Sequence, residues 1–363
     1  MSQKNKLLKN MSYADAILSA NRIMLIRNKD VFIFGQGVDD PKGHYGTTLN
    51  LHKDFGSNGC FDTPICEESI TGIGIGAAIA GMRPILVHQR MDFLMLSMNQ
   101  IVNMASKIHY ISDGKLCVPL VIRACIGRSW GQGAQHSQSL FSIFAHIPGL
   151  KVIAPTTPHD VKGALITSIE DKNPVIFIEH RMLYKNTGLV PKGYYKVKFG
   201  QSRTLSKGSD ITLVGMSFTV IDCINAKKLL KEKSINAEVI DLLSIQPLDM
   251  SKIVSSVKKT KKLIIVENDW INCGVSSEII SRLVETYKVK FEVKRIGYLF
   301  TPCPTTTSLE KSFYPNPEKI AKVSYEMVTK KKNWLPKKIK TKEIEEFRSE
   351  EHTSELQSPM YLV

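Results

Sequence analysis

The stretch PILVHQRMDFLMLSMNQIVNMASKIHYISDGKLCVPLVIR, residues 84–123, predicts a strand, a helix and a second strand in succession. Short apolar runs at Pro84–His88 and Val118–Arg123 are typical of buried strands. Between them, apolar residues recur at helical spacing within Leu96–Tyr110. Because two parallel strands need a crossover connection that is usually a helix, this succession favours a parallel α/β sheet.

The same alternation continues on both sides of this stretch. Further helices are predicted at Ser12–Asn28 (with Ser12 as N-cap), Gly72–Gly81, Pro158–Glu170, Val220–Lys233, Met250–Thr260, Val275–Tyr287 and Glu318–Val328. Further strands are predicted at Val31–Phe34, Lys151–Ala154, Val175–Glu179, Ile211–Val214, Ala237–Asp241, Leu263–Glu267 and Phe291–Ile296. The pattern predicts two parallel-sheet α/β domains, 1–185 and 201–328, joined by a turn-rich linker, 186–200.

The carboxyl-terminal end of the chain has an unusual composition. Residues 329–347 form a lysine-rich tail, and we expect it to be solvated or to dock on an acidic partner. Residues 348–363, which include RSEEHTSELQS, look like the translation of a sequencing-library adapter. We therefore expect the natural chain to end near Phe347, which resequencing the 3′ end of the gene would test.

The overall composition excludes several classes of protein. The chain has 363 residues, of which 43% are hydrophobic and 23% charged, as in an ordinary globular protein. It has no membrane-length apolar run, and its amino terminus lacks the apolar core of a secretory signal, so a cytoplasmic location is expected. The net charge is +15, but no basic motif interleaved with aromatic residues predicts binding to nucleic acid.

The seven cysteines are scattered without the C-x-x-C spacing of a zinc site. Walker-type phosphate loops and Gly-x-Ser-x-Gly elbows are also absent from the sequence. Gly72, Gly74 and Ala77 fit a relaxed dinucleotide-binding pattern, but polar residues precede them where that fingerprint needs a buried strand. These small residues are better explained by close packing of a helix, which Glu67 and Glu68 open.

Three clusters of residues carry candidate chemistry. Glu67 is either a first-turn acid that favours the helix dipole or a functional carboxylate. The string His88–Phe93 follows a strand, where parallel sheets bind ligands, although Arg90 and Asp92 in it could also form a surface ion pair. His136 lies in a glycine-rich loop and is either an ordinary loop residue or a group for proton transfer near neutral pH.

Several blocks together resemble the beta subunits of 2-oxo acid dehydrogenases over about residues 12–328. They are DTPICEE…GIGIGAAIAGMRP, QIVNMASKIHY, GAQHSQS, HIPGLKVIAPTTPHDVKG, NPVIFIEH and VIDLLSIQPLD. The resemblance implies a transketolase-like pyrimidine-binding domain followed by a transketolase C-terminal domain. It also implies an α2β2 heterotetramer in which thiamine diphosphate lies between subunits. The alpha subunit would hold the diphosphate and magnesium through a Gly-Asp-Gly…Asn motif, which this chain lacks.

The resemblance assigns roles to individual residues. Glu67 falls on the family's cofactor glutamate, whose carboxyl group hydrogen-bonds N1′ of the aminopyrimidine and promotes its imino tautomer. Ile65 and Phe93 fall on positions that contact the pyrimidine ring. His136 falls on the histidine near the substrate and the acyl acceptor. A potassium site in the family corresponds, largely through backbone carbonyls, to the positions Leu120, Ser168, Ile169, Asp171 and Asn173.

The sequence also departs from the family pattern and leaves alternatives open. Gln36 and Gly37 stand where many relatives carry acidic residues, and the His88–Phe93 string differs from the pyruvate enzymes. The 2-oxo acid and its acceptor, such as a lipoyl-bearing acyltransferase, therefore stay undefined. One alternative is the C-terminal half of a split transketolase that moves ketol units between sugars. Another is a non-catalytic scaffold subunit.

Overall fold

The computed structural model describes residues 8–128 and 131–339. Within these residues the strands form a seven-stranded sheet, a five-stranded sheet and a two-stranded ribbon. The predicted fold class, two mainly parallel α/β domains, is confirmed. The segment 348–363, interpreted above as an adapter translation, lies outside the described residues. None of the helices in the described ranges is long and apolar enough to cross a membrane.

The strands are numbered in chain order. They are β1 Leu8–Ser12, β2 Val31–Gly35, β3 Cys60–Asp62, β4 Arg83–His88, β5 Val121–Ile126, β6 Lys151–Ile153, β7 Val175–His180, β8 Thr187–Pro191, β9 Arg203–Ser206, β10 Ile211–Gly215, β11 Ala237–Asp241, β12 Ser244–Gln246, β13 Lys262–Trp270 and β14 Glu292–Tyr298. The large sheet has the order β12–β6–β7–β5–β4–β2–β3, and the second sheet has the order β14–β13–β10–β11–β9. Since β2 to β7 run parallel, their carboxyl ends meet at one edge.

The α-helices alternate with these strands. They are α1 Tyr13–Arg27, α2 Leu51–Phe55, α3 Glu67–Ile79, α4 Met91–Leu94, α5 Ile108–Ile111, α6 Phe141–Ala145, α7 Pro158–Glu170, α8 Thr219–Lys231, α9 Ser251–Thr260, α10 Val275–Glu285, α11 Thr307–Phe313 and α12 Pro317–Thr329. The single helix predicted over Leu96–Tyr110 is wrong. That segment includes a π-helical turn at Gln100–Ala105 before α5.

Local sequence explains where α1 begins. The Ser12 hydroxyl accepts a hydrogen bond from the backbone N–H of Asp15 at 3.0 Å, and the Asp15 carboxylate accepts one from the backbone N–H of Ser12. This reciprocal pair is a capping box, which satisfies amide groups that the first helical turn leaves unbonded. Ser12 is therefore confirmed as the N-cap.

The second half of the chain completes the sheet of the first half. Strand β12 comes after β11 in the chain, yet it pairs antiparallel with β6 at the edge of the seven-stranded sheet. The predicted linker 186–200 also has regular structure, because β8 lies within it and pairs antiparallel with β1. Neither pairing follows from local sequence patterns, since each joins segments that are far apart in the chain.

Buried polar contacts bind the two halves together. The guanidinium of Arg128 forms an ion pair with Asp222 at 3.0 Å, and both side chains are almost fully buried. The same guanidinium stacks over the ring of Phe218 at 4.2 Å. The carboxylate of Asp269 accepts the backbone N–H of Phe141 at 2.9 Å. Arg128 and Phe141, on either side of the His136 segment, are thereby held against the second half.

A buried carboxyl near this interface makes stability depend on pH. Burial, reinforced by the charge of Asp160, raises the pKa of Asp241 from its ordinary 3.8 to about 7. The folded state therefore holds the proton up to about pH 7, whereas the unfolded chain releases it near 3.8. Since the folded state binds more protons in this window, the free energy of unfolding falls as pH rises.

We expect Asp241→Asn to remove this dependence. Relative to the native chain, the variant should gain roughly 2–4 kcal/mol in the free energy of unfolding between pH 4 and pH 8. Urea unfolding at several pH values measures the difference. Asp113→Asn, at an exposed carboxyl, is the matched control. A difference between Asp241→Asn and the native chain that stays constant with pH would contradict the expectation.

Candidate active site

The candidate site lies at the carboxyl edge of the large sheet, where four neighbouring strands end. Gln36 follows β2, Glu67 follows β3, Phe93 follows β4 and His136 follows β5. These strands are adjacent in the order β5–β4–β2–β3. Open parallel sheets bind ligands beyond the carboxyl ends of their strands, so the positions suit a ligand site.

Glu67 is the first residue of α3 and is buried, with 8% of its surface exposed. Its Oε1 atom accepts a hydrogen bond from Nε2 of Gln36 at 3.1 Å. Within the described ranges, this is the hydrogen bond that the structure gives to the carboxylate. The positive end of the α3 dipole favours a negative charge at this position. Since the bond from Gln36 uses Oε1, the second oxygen, Oε2, remains available to a ligand.

Small residues seat α3 on the sheet. A methyl group added at Gly74 would come within 3.0 Å of the Phe34 ring and 3.3 Å of Leu120. Glycine therefore lets the helix pack closely against the sheet, as the sequence predicted. The Thr71 hydroxyl donates to the backbone oxygen of Glu67 at 2.7 Å and lies 2.9 Å from Ser97. These contacts fix the first turn of α3.

The structure brings together two of the predicted site residues, Phe93 and His136. The rings of Phe93 and His136 lie 5.3 Å apart, centroid to centroid, in an edge-to-face arrangement at 81°. Phe93 exposes 38% of its surface, and Ile65, two residues before Glu67, exposes 66%. Ile65 is an exposed apolar side chain close in sequence to the Glu67 carboxylate, and Phe93 is one beside His136; such side chains are suited to cover one face of a planar ring.

The loop that carries His136 is anchored from both halves of the chain. The Asp92 carboxylate is buried and accepts two bonds from Gln138, one from the backbone N–H and one from the side chain, both at 3.0 Å. Burial raises the pKa of Asp92. On the other side, the Ser139 hydroxyl contacts Tyr298 at 3.1 Å and accepts a bond from Asn268. Asp92 therefore positions this loop.

His88 is part of the core. The side chain is buried, and burial lowers its pKa to about 4, so the imidazole is neutral near pH 7. Its Nε2 atom lies 3.5 Å from the Thr71 hydroxyl beneath Glu67. Of the string His88–Phe93, Asp92 and Phe93 therefore belong to the candidate site, whereas His88 lies in the core against Thr71.

Backbone oxygens at the predicted potassium positions suit a hard cation, and two of them converge. The carbonyl oxygens of Ile169 and Asp171 lie 2.8 and 3.0 Å from Nη1 of Arg83. The carbonyl of Leu120 accepts the Val175 N–H at 2.9 Å. In this structure the Arg83 guanidinium is the cation that the two converging oxygens bind. Potassium binding stays a prediction for these residues.

Comparison with domain families divides the chain in two. Residues 9–187 match the family described as "Transketolase, pyrimidine binding domain". Residues 200–320 match the family described as "Transketolase, C-terminal domain". A solved structure titled "Split gene transketolase, inactive beta4 tetramer" superposes with a TM-score of 0.71, covering 88% of this chain and 98% of that one. At 18% identity, this likeness shows a shared fold.

Named relatives narrow the class of protein to which the chain belongs. The chain is 38% identical to the pyruvate dehydrogenase E1 component subunit beta of Rickettsia felis, over 86% of this chain and 97% of the relative. It is 36% identical to the 2-oxoisovalerate dehydrogenase subunit beta of Bacillus subtilis, over 85% and 96%. It is 35% identical to the acetoin:2,6-dichlorophenolindophenol oxidoreductase subunit beta of Cupriavidus necator, over 85% and 92%. The chain therefore belongs to the family of beta subunits of 2-oxo acid dehydrogenases, which are built from transketolase-type domains.

Some residues that build the site carry no signal in the sequence. Gln36 was noted only as a departure from the family pattern, although the order of β2 beside β3 places it against Glu67. Tyr298 and Asn268 come from distant segments and meet the His136 loop only in the folded chain. Once the strand order is known, sequence spacing can indicate the contact of Gln36 with Glu67. It cannot indicate the contacts of Tyr298 and Asn268 with the His136 loop.

Proposed function

We propose that this chain is the beta subunit of a thiamine-diphosphate-dependent 2-oxo acid dehydrogenase and is active only together with an alpha subunit. The observation that carries the proposal is the buried Glu67 carboxylate, which Gln36 bonds through Oε1 and to which the described residues give no other hydrogen bond. This donor set fits the aminopyrimidine ring of the cofactor. The 35–38% identity to oxidoreductase beta subunits favours this function over the split transketolase.

Different side chains of this chain would bind the cofactor, orient the substrate and transfer protons. When bound, thiamine diphosphate supplies a carbon nucleophile and an electron sink for loss of carbon dioxide. Glu67 would hold N1′ of the pyrimidine and move a proton there, while Ile65 and Phe93 would pack on the ring. His136, beside Phe93, would orient the substrate and transfer a proton near the acyl acceptor.

An exposed apolar surface supports the need for a partner. Large apolar side chains on α3 and on the segment after α4 are more than half exposed, with Ile73 at 63%, Leu96 at 61% and Tyr110 at 87%. Monomeric proteins rarely leave a large contiguous apolar surface in water. We place the alpha subunit of an α2β2 heterotetramer here, supplying the diphosphate and magnesium ligands. A cytoplasmic location and the potassium ion belong to the same proposal.

The names of the relatives reduce the substrate and the acceptor to a few candidates. Pyruvate, 2-oxoisovalerate and acetoin appear in the names of the relatives, and a dye acceptor appears in one of them. A lipoyl domain of an acyltransferase is the proposed natural acceptor. A scaffold role is the remaining alternative, and it differs from the proposal in requiring no chemistry from Glu67.

Co-expression with an alpha-type subunit from the same genome tests this function. We expect thiamine-diphosphate- and magnesium-dependent dye reduction with at least one 2-oxo acid of a panel that includes pyruvate and 2-oxoisovalerate. Acetoin, a hydroxyketone with no carboxyl group to lose, is assayed beside the panel, and turnover of acetoin alone would contradict the proposal. Either subunit alone should be inactive, because each holds only part of the cofactor. A stable cofactor-bound complex that transfers ketol units between sugars, and is inert toward the whole panel, would contradict the proposal.

A further inference from the structure

Among the described residues, Gln36 donates the hydrogen bond that the Glu67 carboxylate accepts, and the sheet determines its position. We propose that Gln36 is a positioning residue that holds one carboxylate oxygen of Glu67 and presents the other to the cofactor. The inference rests on the proposed function of Glu67. Gln36 adds to that function a neutral donor that keeps the carboxylate in one orientation at every pH.

The backbone that aims Gln36 depends on Gly35. A methyl group added to Gly35, which has φ +137°, would lie 2.2 Å from the carbonyl oxygen of Val87. Only glycine allows β2 to approach β4 so closely at that conformation. The backbone N–H of Gln36 then donates to the same Val87 oxygen at 3.1 Å. With its backbone fixed, Gln36 extends its side chain from β2 towards the end of β3.

The following loop is fixed as well. The Asp62 carboxylate, at the end of β3, accepts the backbone N–H of Val38 at 2.6 Å. Gly37 has a left-handed φ of +70°, and a methyl group there would come within 3.0 Å of the Gln89 amide. Gln36 therefore lies between two held segments, and its amide can keep a single orientation towards Glu67.

The chemical consequence comes from the amide being uncharged. An amide N–H donates a hydrogen bond at any pH, and it neither takes nor releases a proton. A carboxyl group at this position would instead compete with Glu67 for one proton, since two adjacent carboxylates raise one another's pKa. Charged or titratable groups on the elements around the pair are Glu68 on α3, Asp62 at the end of β3, Asp40 beside Gly37, His88 on β4 and Arg90 after it.

Two substitutions at this position separate hydrogen bonding from charge. Gln36→Leu removes the donor, and we expect kcat of the reconstituted complex to fall about tenfold with little change in KM for the oxo acid. Gln36→Glu adds a carboxyl, and we expect the pH profile of kcat to move by about one pH unit or more to higher pH. Gln36→Glu also keeps the test informative if Gln36→Leu folds poorly.

A second readout does not depend on turnover. Titration calorimetry of thiamine diphosphate binding, in two buffers of different ionisation enthalpy, counts the protons exchanged on binding. We expect this count to change in Gln36→Glu. Gln201→Glu is the matched control, because Gln201 is an exposed glutamine in the second half of the chain and the substitution adds the same charge. This exposed control should keep the proton count and the pH profile of the native complex, because it lies outside both the candidate site and the proposed subunit interface.

The outcomes distinguish this inference from the function on which it rests. If Glu67→Gln abolishes turnover while both Gln36 variants keep the native pH profile, proton count and kcat, the positioning role is wrong and the function stands. If the same changes occur in Gln201→Glu, the effect is one of general charge and the positioning role is again wrong. If Glu67→Gln is fully active, the proposed function itself is wrong.

Discussion

Replacing Glu67 with glutamine is expected to lower turnover of the reconstituted complex by roughly 10²–10⁴-fold, the usual contribution of a positioned acid–base group. The substitution keeps the shape of the side chain, so α3 should remain seated on the sheet. Gln36 would still donate to the new amide oxygen, as it does to Oε1 of Glu67. The amide nitrogen would then face the cofactor, where it cannot take part in proton transfer.

The rate should be measured with saturating thiamine diphosphate, so that weaker cofactor binding is not mistaken for slower chemistry. Glu68→Gln is the control, because Glu68 is the exposed neighbour on the same helical turn. It should keep activity near that of the native complex. Equal activity in the Glu67→Gln and native complexes would favour a scaffold subunit, and a loss shared by both variants would point to a general charge effect at the start of α3.

Replacing Arg123 with methionine is expected to lower the free energy of unfolding by about 3–5 kcal/mol. Arg123 on β5 and Glu179 on β7 form an ion pair in which both side chains are almost fully buried. Thr47 accepts a further bond from the same guanidinium at 2.8 Å, and the Tyr184 hydroxyl donates to Glu179 at 3.0 Å. Without Arg123, the buried Glu179 carboxylate would lose its ion-pair partner.

The exposed pair of Arg22 and Asp54 provides the comparison. These side chains lie 2.6 Å apart, but 39% and 37% of their surfaces are exposed. Arg22→Met should therefore cost no more than about 1 kcal/mol, as is usual for surface ion pairs. Denaturant unfolding of both variants measures the two losses. Equal losses would mean that burial does not govern the strength of the Arg123 pair.

Local patterns in the sequence predicted most of the fold. The start of α1 was predictable because Ser12 and Asp15 are three residues apart and bond each other. The parallel strands were predictable because buried strands are nearly continuous apolar runs. The helix predicted over Leu96–Tyr110 failed because apolar spacing does not distinguish a continuous α-helix from one interrupted by 3₁₀ and π turns.

The site was predictable to a different extent. Glu67 and His136 stood out through the family resemblance, and the structure places both at the carboxyl edge of the sheet. Their supports were not predictable, since Gln36 meets Glu67 across 31 positions and Tyr298 meets Ser139 across 159. Such contacts depend on strand order and on the packing of the two halves, which a single sequence does not encode at fixed spacing.

Strand β12 belongs to the second half of the chain but completes the sheet of the first half. This has a consequence for synthesis of the chain on the ribosome. The seven-stranded sheet cannot be complete until Gln246, the last residue of β12, has left the exit tunnel. At about 5–20 residues per second, the edge of β6 stays uncovered for several seconds after β7 has been made. An uncovered edge can pair with another nascent chain. A gene split between the two domains would prolong that exposure until the separate fragments met.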